Sequence, residues 1–284
     1  MRGTRLWLLV GVIALLVSGF TVAGCGDDDD EGDGGEAPTE ASAEDLGLIT
    51  EGTLTVGTDT PFPPFEIGQP PDISGYDIDV LNAVAEQLGL TSEYTDTSFD
   101  TIFRDVAAGQ YDIAAAASTI TPGRQKTVDF SDPYYEAQQA LLVSEGSDIA
   151  SVEDLSDAIV GAQDGTTGEV YANDETDASE VRGFPEGPDA VSALITGQVD
   201  AVIIDQPVAV DALEKQGGVE IAEEIPTNEL YGFAMSKENP ELVEAVNGAL
   251  QTLKDDGTIA DLYQEYFQAD PPDSVLTGTT DNPS

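Results

Sequence analysis

One short pattern occurs twice in this chain and constrains its fold more than any other feature. The copies begin at Ala108 and Thr196 and read AGQYDIA and TGQVDAV. In each copy the glycine is suited to end a helix, and the residues after the aspartate are suited to a short buried strand. The repeat therefore predicts two α/β units of similar construction.

Polar residues follow each of the two predicted strands. Ser118, Thr119 and Arg124 come after the first strand, and Asp205 comes after the second. Ligands of open α/β sheets bind at the carboxyl ends of the strands. A guanidinium pairs well with a carboxylate, and a carboxylate suits an ammonium group. Arg124 and Asp205 together therefore predict a site for a zwitterion.

Alternating strand and helix patterns along the rest of the chain predict mostly parallel sheets. The first unit is expected to contain strands 53–57, 90–95 and 113–117, with helices 77–88 and 99–108. The second is expected to contain strands 159–162 and 201–204, with helices from about 169, at 188–196 and at 207–215. Extended segments 137–144 and 230–236 join the units, and helices 240–254 and 258–267 follow. Two lobes joined in this way leave a cleft, where a ligand is expected.

The N-terminal segment is expected to be a targeting signal. Arg2 and Arg5 precede an apolar run over 6–23, and small residues then lead to Cys25, the only cysteine. This combination resembles a lipoprotein signal peptide over 1–24, with Cys25 as the lipidated residue. An uncleaved transmembrane anchor with a chance cysteine is the alternative, because the run is about the minimum length of a span. Both readings place the globular part outside the cytoplasmic membrane.

The charge of the chain excludes several classes of function. Residues 26–44 are rich in acidic residues and lack apolar periodicity, which predicts a disordered tether after Cys25. A metal site in the run 27–30 is the less favoured alternative, since such runs are usually solvated. A net charge of −47 argues against nucleic-acid binding, and the absence of histidine excludes histidine-based catalysis. We expect no cofactor and no metal.

Residues 45–268 resemble family 3 of the bacterial extracellular solute-binding proteins, the amino-acid receptors of ABC importers. The motifs that carry the resemblance are VGTD at 56–59, FPPFE at 62–66, GYDIDV at 75–80, STITPGR at 118–124, VDFS at 128–131, GTTG at 165–168 and DGT at 256–258. Each motif is weak alone, but the ordered set is specific.

The resemblance implies an α/β, two-lobed fold of the periplasmic-binding-protein type (type II), with two hinge strands and the ligand in the interlobe cleft. The first lobe would be discontinuous, over 45–142 and 232–268, and the second would cover 143–231. The hinges would lie near 141–144 and 230–233. The segment 269–284 is expected to be a flexible tail.

The resemblance also implies roles for individual residues. Arg124 and Thr119 match residues that bind the α-carboxylate, Thr167 matches a second-lobe residue that completes this site, and Asp205 matches the residue that holds the α-ammonium. The other candidate ligand-binding residues are Asp59, Phe62, Phe99, Ser118 and Gln163.

Ordinary structural roles remain open for several of these residues. Arg124 could be a surface residue paired to Asp129 or Glu136. Asp205 could cap the helix that begins near Pro207. The two phenylalanines of the candidate site could belong to the core.

The expected function is an extracytoplasmic substrate-binding protein, monomeric and not an enzyme, that passes an amino acid to an ABC permease and its ATPase subunits. Asp59 is a surplus negative charge, which favours a cationic or polar neutral amino acid. One alternative is a dehydratase-type enzyme, for which Glu169 is the nearest general acid. The other is a ligand-sensing domain. The expected location is the outer face of the cell membrane, through a lipid on Cys25, or the periplasm.

Overall fold

The computed structural model of the protein describes residues 46–277, which form two α/β lobes. No helix in that range is both long enough and apolar enough to span a membrane. The predicted signal peptide, Cys25 and the acidic tether lie outside the described residues.

Twelve strands and eight α-helices make up the described part of the chain. The strands are β1 (Thr53–Thr58), β2 (Ile67–Gln69), β3 (Asp72–Ser74), β4 (Thr91–Asp96), β5 (Ile113–Ala114), β6 (Val128–Phe130), β7 (Tyr135–Ser144), β8 (Ile159–Gln163), β9 (Glu180–Phe184), β10 (Ala201–Asp205), β11 (Val219–Tyr231) and β12 (Ala234–Ser236). The helices are α1 (Tyr76–Gln87), α2 (Phe99–Ala107), α3 (Thr167–Asp174), α4 (Gly187–Ile195), α5 (Gln206–Lys215), α6 (Pro240–Asp255), α7 (Thr258–Phe267) and α8 (Asp273–Leu276).

Each lobe is built on a five-stranded sheet of the same design. The first sheet has the order β4-β1-β5-β12-β6, and the second has the order β9-β8-β10-β7-β11. In the first sheet β1 runs parallel to β4 and β5, and β12 runs antiparallel to β5 and β6. In the second, β8 runs parallel to β9 and β10, and β7 runs antiparallel to β10 and β11. The carboxyl ends of three parallel strands therefore define one edge of each sheet.

The helices form because their apolar residues recur on one face. In α1 the side chains of Ile78, Leu81 and Val84 are buried, as their spacing predicts. Gly75 precedes this helix with φ 127°, and a Cβ there would lie 2.0 Å from the carbonyl oxygen of Phe65. Only glycine fits this turn, so the position fixes where the helix begins.

Two segments of chain cross between the lobes. The chain leaves the first sheet after Phe130 and enters the second at Tyr135, and it returns between Tyr231 and Ala234. The rings of Tyr134 and Phe233 stack at the crossings with centroids 4.2 Å apart. The return crossing overlaps 230–233, whereas residues 141–143 pair with β10 and Ser144 pairs with β11, inside the second sheet.

Several strands and one helix differ from the sequence-based expectation. Strand β9 and the part of β11 over 223–229 are rich in polar and charged residues, so neither shows a clear strand pattern. Strand β5 ends at Ala114 instead of 117, and Ala117 adopts φ 43°, outside the extended region. The segment expected to be a loose tail contains α8, in which Val275 is fully buried.

Candidate ligand-binding site

A cleft between the lobes collects side chains from the carboxyl ends of the parallel strands in both sheets. Its lining residues are Asp59, Phe62, Phe99, Ala116, Ala117, Thr119, Arg124, Gln163, Thr166, Thr167 and Asp205. The structure thus brings together every predicted site residue except Ser118.

Within residues 46–277, Arg124 is the only basic residue that lines the cleft. Its Nη1 donates to the carbonyl oxygen of Thr119 (2.8 Å), and its Nη2 donates to that of Gly165 on the second lobe (3.1 Å). The guanidinium also packs over the rings of Phe99 and Phe103, at 5.0 and 4.7 Å from their centroids. Burial lowers the pKa of Arg124 to about 10, so the group is still cationic at neutral pH.

The surface pairing considered for Arg124 does not occur. Asp129 accepts a hydrogen bond from Lys237 at 2.8 Å, and Glu136 accepts one from Ser274. The guanidinium uses two of its five N–H groups on the two backbone carbonyls, so it retains donors for an anion.

Asp205 ends strand β10, and its side chain faces the same cleft with 7% of its surface exposed. Its Oδ1 accepts a hydrogen bond from Nε2 of Gln139 at 2.7 Å. The residue occupies the N-cap position of α5, but its side chain makes no capping hydrogen bond. Burial, followed by the nearby carboxylate of Glu229, raises the pKa of Asp205 to about 7, and Arg124 opposes this shift.

Asp59 joins the two lobes at another point of the cleft. Its Oδ1 accepts a hydrogen bond from the backbone amide of Phe99 (3.2 Å), and its Oδ2 accepts one from Nε2 of Gln163 on the second lobe (2.6 Å). Burial raises the pKa of Asp59 to about 6, although the hydrogen bond from Gln163 opposes this. Gly187 lies against the Phe62 ring, where a Cβ would be 2.9 Å from a ring carbon. The lobes therefore meet closely here.

The three predicted hydroxyl residues behave differently. Ser118 is fully buried, and its hydroxyl donates to the carbonyl oxygen of Ala116 at 3.2 Å. Ser118 is therefore absent from the cleft lining, which contains its neighbour Thr119, and a role of Ser118 in ligand binding stays a prediction. Thr119 and Thr167 both line the cleft, and both hydroxyls donate to Glu229.

Helix α3 begins at the cleft. Thr166 caps it, with its Oγ1 accepting a hydrogen bond from the amide of Glu169 at 3.2 Å. The Glu169 carboxylate accepts a hydrogen bond from the amide of Gly165 at 2.8 Å, and it does not line the cleft. Glu169 therefore stabilises the turn before the helix. The expectation that it could serve as a general acid in the cleft is not met, because it does not line the cleft.

A buried carboxylate pair supports the cleft wall from inside the first lobe. Oδ2 of Asp77 accepts hydrogen bonds from the amide of Ala117 (2.8 Å) and the hydroxyl of Tyr134 (2.6 Å). These contacts hold Ala117 at its positive φ, beside the crossing segment. Burial raises the pKa of Asp77 to about 6, and burial with the Asp77 charge raises that of the neighbouring Glu66 well above its usual value.

Three polar residues near the cleft were missed by the sequence analysis. Gln139 and Glu229 are buried on strands β7 and β11 and hydrogen bond to predicted site residues. Glu186 precedes α4, and burial, followed by Asp59, raises its pKa to about 7. One Glu186 oxygen has no hydrogen-bond partner within 46–277. The run of residues before Tyr231 gives no signal for Glu229, because it predicts no strand there.

Comparison with known proteins identifies the family. Residues 54–269 match the family described as bacterial extracellular solute-binding proteins, family 3. The chain belongs to this family. The resemblance seen in the ordered motifs is thereby confirmed.

Relatives and solved structures agree with this assignment. The ABC transporter glutamine-binding protein GlnH of Bacillus subtilis (strain 168) is 31% identical, over 90% of this chain and 96% of the relative. The L-cystine-binding protein TcyJ of Escherichia coli (strain K12) is 29% identical, over 81% and 89%. The structure of an ancestral arginine-binding protein bound to arginine is 40% identical, with TM-score 0.72, over 76% of this chain and 98% of that one. The predicted two-lobed, type II fold is confirmed.

Proposed function

We propose that this family member captures one amino acid between its lobes and delivers it to the permease of an ABC importer. The observation that carries the proposal is that Arg124 of the first lobe and Asp205 of the second line the same cleft with opposite charges. A zwitterion reaches both groups only when the lobes are closed. Ligand therefore shifts the population of the closed form, which is the form a permease would bind.

The names of similar proteins favour a single amino acid as the ligand. Two relatives are named as glutamine- and cystine-binding proteins, and a similar solved structure is an arginine-binding protein.

The charges in and near the cleft favour a cationic or polar neutral amino acid. Arg124 is the basic residue of the lining in the described chain, and it is expected to hold the α-carboxylate. Asp59 and the neighbouring Glu186 carry surplus negative charge, and burial raises both pKa values. A ligand cation would relieve this cost, whereas an acidic side chain would increase it. Ancestral arginine-binding protein structures bound to arginine and to glutamine are both similar to this chain.

A thermal-shift panel tests the function. Purified protein from residue 26 onward is mixed with each standard amino acid, ornithine, polyamines, sugars and simple organic acids. A ligand at a hundred times its Kd stabilises the native state by roughly 2.7 kcal/mol. We expect a large shift with one or a few α-amino acids, which disappears in Arg124→Ala and Asp205→Ala. Shifts only with compounds that lack an α-ammonium group would contradict the proposal.

An enzyme on the same fold is the second candidate function. A solved structure 38% identical to this chain is described as an ancestral amino-acid-binding protein, a precursor of cyclohexadienyl dehydratase. Incubation of the protein with the organic acids of the panel, followed by mass spectrometry, would detect loss of water. We expect no turnover, and catalytic product formation would favour the enzyme.

The site of action and the oligomeric state are further parts of the proposal. We expect Cys25 to carry a lipid that holds a monomer at the outer face of the cell membrane. The pattern of Arg2, Arg5, an apolar run and small residues before Cys25 supports this. Membrane fractionation of wild type and Cys25→Ala, with the intact mass of the wild type, tests the anchor. Light scattering on the purified protein tests the monomer.

A further inference from the structure

Glu229 is a buried carboxylate that lies between the two lobes. Only 6% of its surface is exposed. The pairing of β11 with β7 shifts register between Ile225 and Glu229, and Asn228 within this bulge adopts φ 50°. Bulges re-aim the side chains that follow them. The bulge therefore accounts for a glutamate that is buried directly after the exposed Asn228.

Both lobes donate hydrogen bonds to this carboxylate. Oε2 of Glu229 accepts from Oγ1 of Thr119 on the first lobe and from Oγ1 of Thr167 on the second, each at 2.6 Å. Oε1 accepts from Nε2 of Gln139 at 3.0 Å. The same Gln139 nitrogen lies within hydrogen-bond distance of Oδ1 of Asp205 (2.7 Å) and of the Thr167 hydroxyl oxygen (3.4 Å). Two carboxylates thus lie on either side of one amide group at the cleft.

The direction of the two hydroxyl hydrogen bonds follows from chemistry. An ionised carboxylate can only accept, so each threonine hydroxyl must donate its single hydrogen to Glu229. Thr119 then offers its hydroxyl lone pairs to the cleft, and Thr167 offers the one that does not face Gln139. Lone pairs accept from an ammonium group and cannot bind a carboxylate. The arrangement therefore reverses the role expected for the side chains of Thr119 and Thr167, which the family resemblance places at the α-carboxylate.

We propose that Glu229 makes this part of the cleft selective for an α-ammonium group, by fixing the Thr119 and Thr167 hydroxyls as acceptors and by adding a second carboxylate beside Asp205. An ammonium group has three N–H donors, which matches one carboxylate and two hydroxyls. Glu229 acts through the threonines, so it is a positioning residue. This inference rests on the proposed function, because it assumes that the ligand is an α-amino acid.

The charges around the cleft support the same assignment. Glu229 contributes to raising the pKa of Asp205, and both carboxylates oppose the lowering of the Arg124 pKa. A cation placed among Asp205, Glu229 and the hydroxyl lone pairs would remove this repulsion. A neutral or anionic group in the same place would leave two buried carboxylates facing each other.

The test compares an amino acid with the analogue that lacks only its ammonium group. Calorimetric titration at neutral pH uses L-arginine with 5-guanidinopentanoate, and L-glutamine with 4-carbamoylbutanoate. In Glu229→Gln we expect the Kd for the bound amino acid to rise about 10- to 100-fold. The Kd for its analogue should change less than about threefold. Glu224→Gln, which alters an exposed carboxylate on the same strand, is the matched control and should change neither Kd.

A second variant keeps the test decisive if Glu229→Gln does not fold. Thr167→Val removes one hydroxyl and should also weaken binding of the amino acid more than binding of its analogue. Equal weakening of both ligands would mean that the hydroxyl serves the carboxylate, and tighter amino-acid binding in Glu229→Gln would mean that Glu229 competes with the ligand. Either result overturns the inference but leaves the proposed function standing. If wild-type protein binds neither amino acid nor any other in the panel, the proposed function fails and the inference fails with it.

Discussion

The two lobes use the repeated motif in the same way but follow it with different residues. Gly109 and Gly197 end helices α2 and α4 with φ of 71° and 70°, a conformation that suits glycine. In each lobe the aspartate three residues later, Asp112 or Asp200, accepts a hydrogen bond from a backbone amide of the neighbouring parallel strand. The motif is therefore a structural clasp in both lobes.

The lobes differ where the strand after the clasp ends. The first lobe presents the guanidinium of Arg124, and the second presents the carboxylate of Asp205. Arg124 lies on the first lobe and Asp205 on the second, so neither lobe alone supplies both of the groups proposed to hold the two ends of a zwitterion. The shared scaffold brings two strand ends together, while the divergent residues decide which ligand can join them.

Removal of the first-lobe charge should have the largest effect. We expect Arg124→Ala to raise the Kd for the bound amino acid by about 1000-fold, because truncating one partner of a buried charge pair costs roughly 2–5 kcal/mol. Calorimetric titration measures the change. Arg182→Ala is the control, since Arg182 pairs with Glu180 at 2.8 Å outside the cleft lining. Similar losses in both variants would show that the effect is not local.

Removal of the second-lobe charge should have the next largest effect. We expect Asp205→Asn to raise the same Kd by about 100-fold, since an amide still accepts one hydrogen bond from the α-ammonium but has no charge. The Kd for the analogue without the ammonium group should change little in this variant. A loss of equal size for that analogue would argue against Asp205 as the ammonium partner.

Most of the scaffold and most of the cleft were predictable because they depend on local patterns. Strand β1 and helix α1 follow from their apolar spacing, and the positions of Arg124 and Asp205 follow from the rule on strand ends. The parts that were not predictable depend on contacts between distant segments. Strand β9 reads EVRGF, of which Glu180 and Gly183 are exposed, so its pattern is that of a loop.

Glu229 shows this limit most clearly. Its inward direction depends on a register shift against β7, and its partners Thr119 and Thr167 come from positions far apart in the sequence. A pattern along the chain carries no information on either. Ser118 and Thr119 show the converse, because alternation of side chains along an extended segment already predicts that only one of two adjacent hydroxyls lines the cleft, and Thr119 is the one that does.

The ionisation of Asp205 should also make the free energy of unfolding depend on pH. Burial and Glu229 raise the folded pKa of Asp205 to about 7, above the usual 3.8, so folding favours its neutral form. This contribution is fully present at low pH and is lost as pH rises through about 7. In protein freed of amino acid, Asp205→Asn should gain roughly 2 kcal/mol in free energy of unfolding relative to wild type between about pH 5.5 and about pH 8.5.

Urea denaturation of both proteins at the two pH values measures this gain. Both proteins share the same acidic surface, so its pH dependence cancels in the difference. A relative stability that stays constant, or that falls as pH rises, would mean that Asp205 is ionised across the whole range.

The smallest expected effect is the difference in stability between variants of the two clasp aspartates, Asp112 and Asp200. Asp112 is 7% exposed and accepts hydrogen bonds from the amides of Ile49 and Thr55 and from the Thr55 hydroxyl, whereas Asp200 is exposed and accepts one from the amide of Ile159. Loss of a buried charged acceptor leaves several donors unpaired. We therefore expect Asp112→Ala to lower the free energy of unfolding by about 2 kcal/mol and Asp200→Ala by about 1 kcal/mol.

Urea denaturation again measures both losses, and calorimetric titration checks the ligand. Because the clasps lie at the opposite ends of their strands from the cleft, each variant should keep the wild-type Kd within about twofold. Equal losses of stability would mean that the extra hydrogen bonds of Asp112 contribute nothing. A large change in Kd in either variant would mean that the clasp helps to position the binding residues, and the division between shared scaffold and divergent site would then fail.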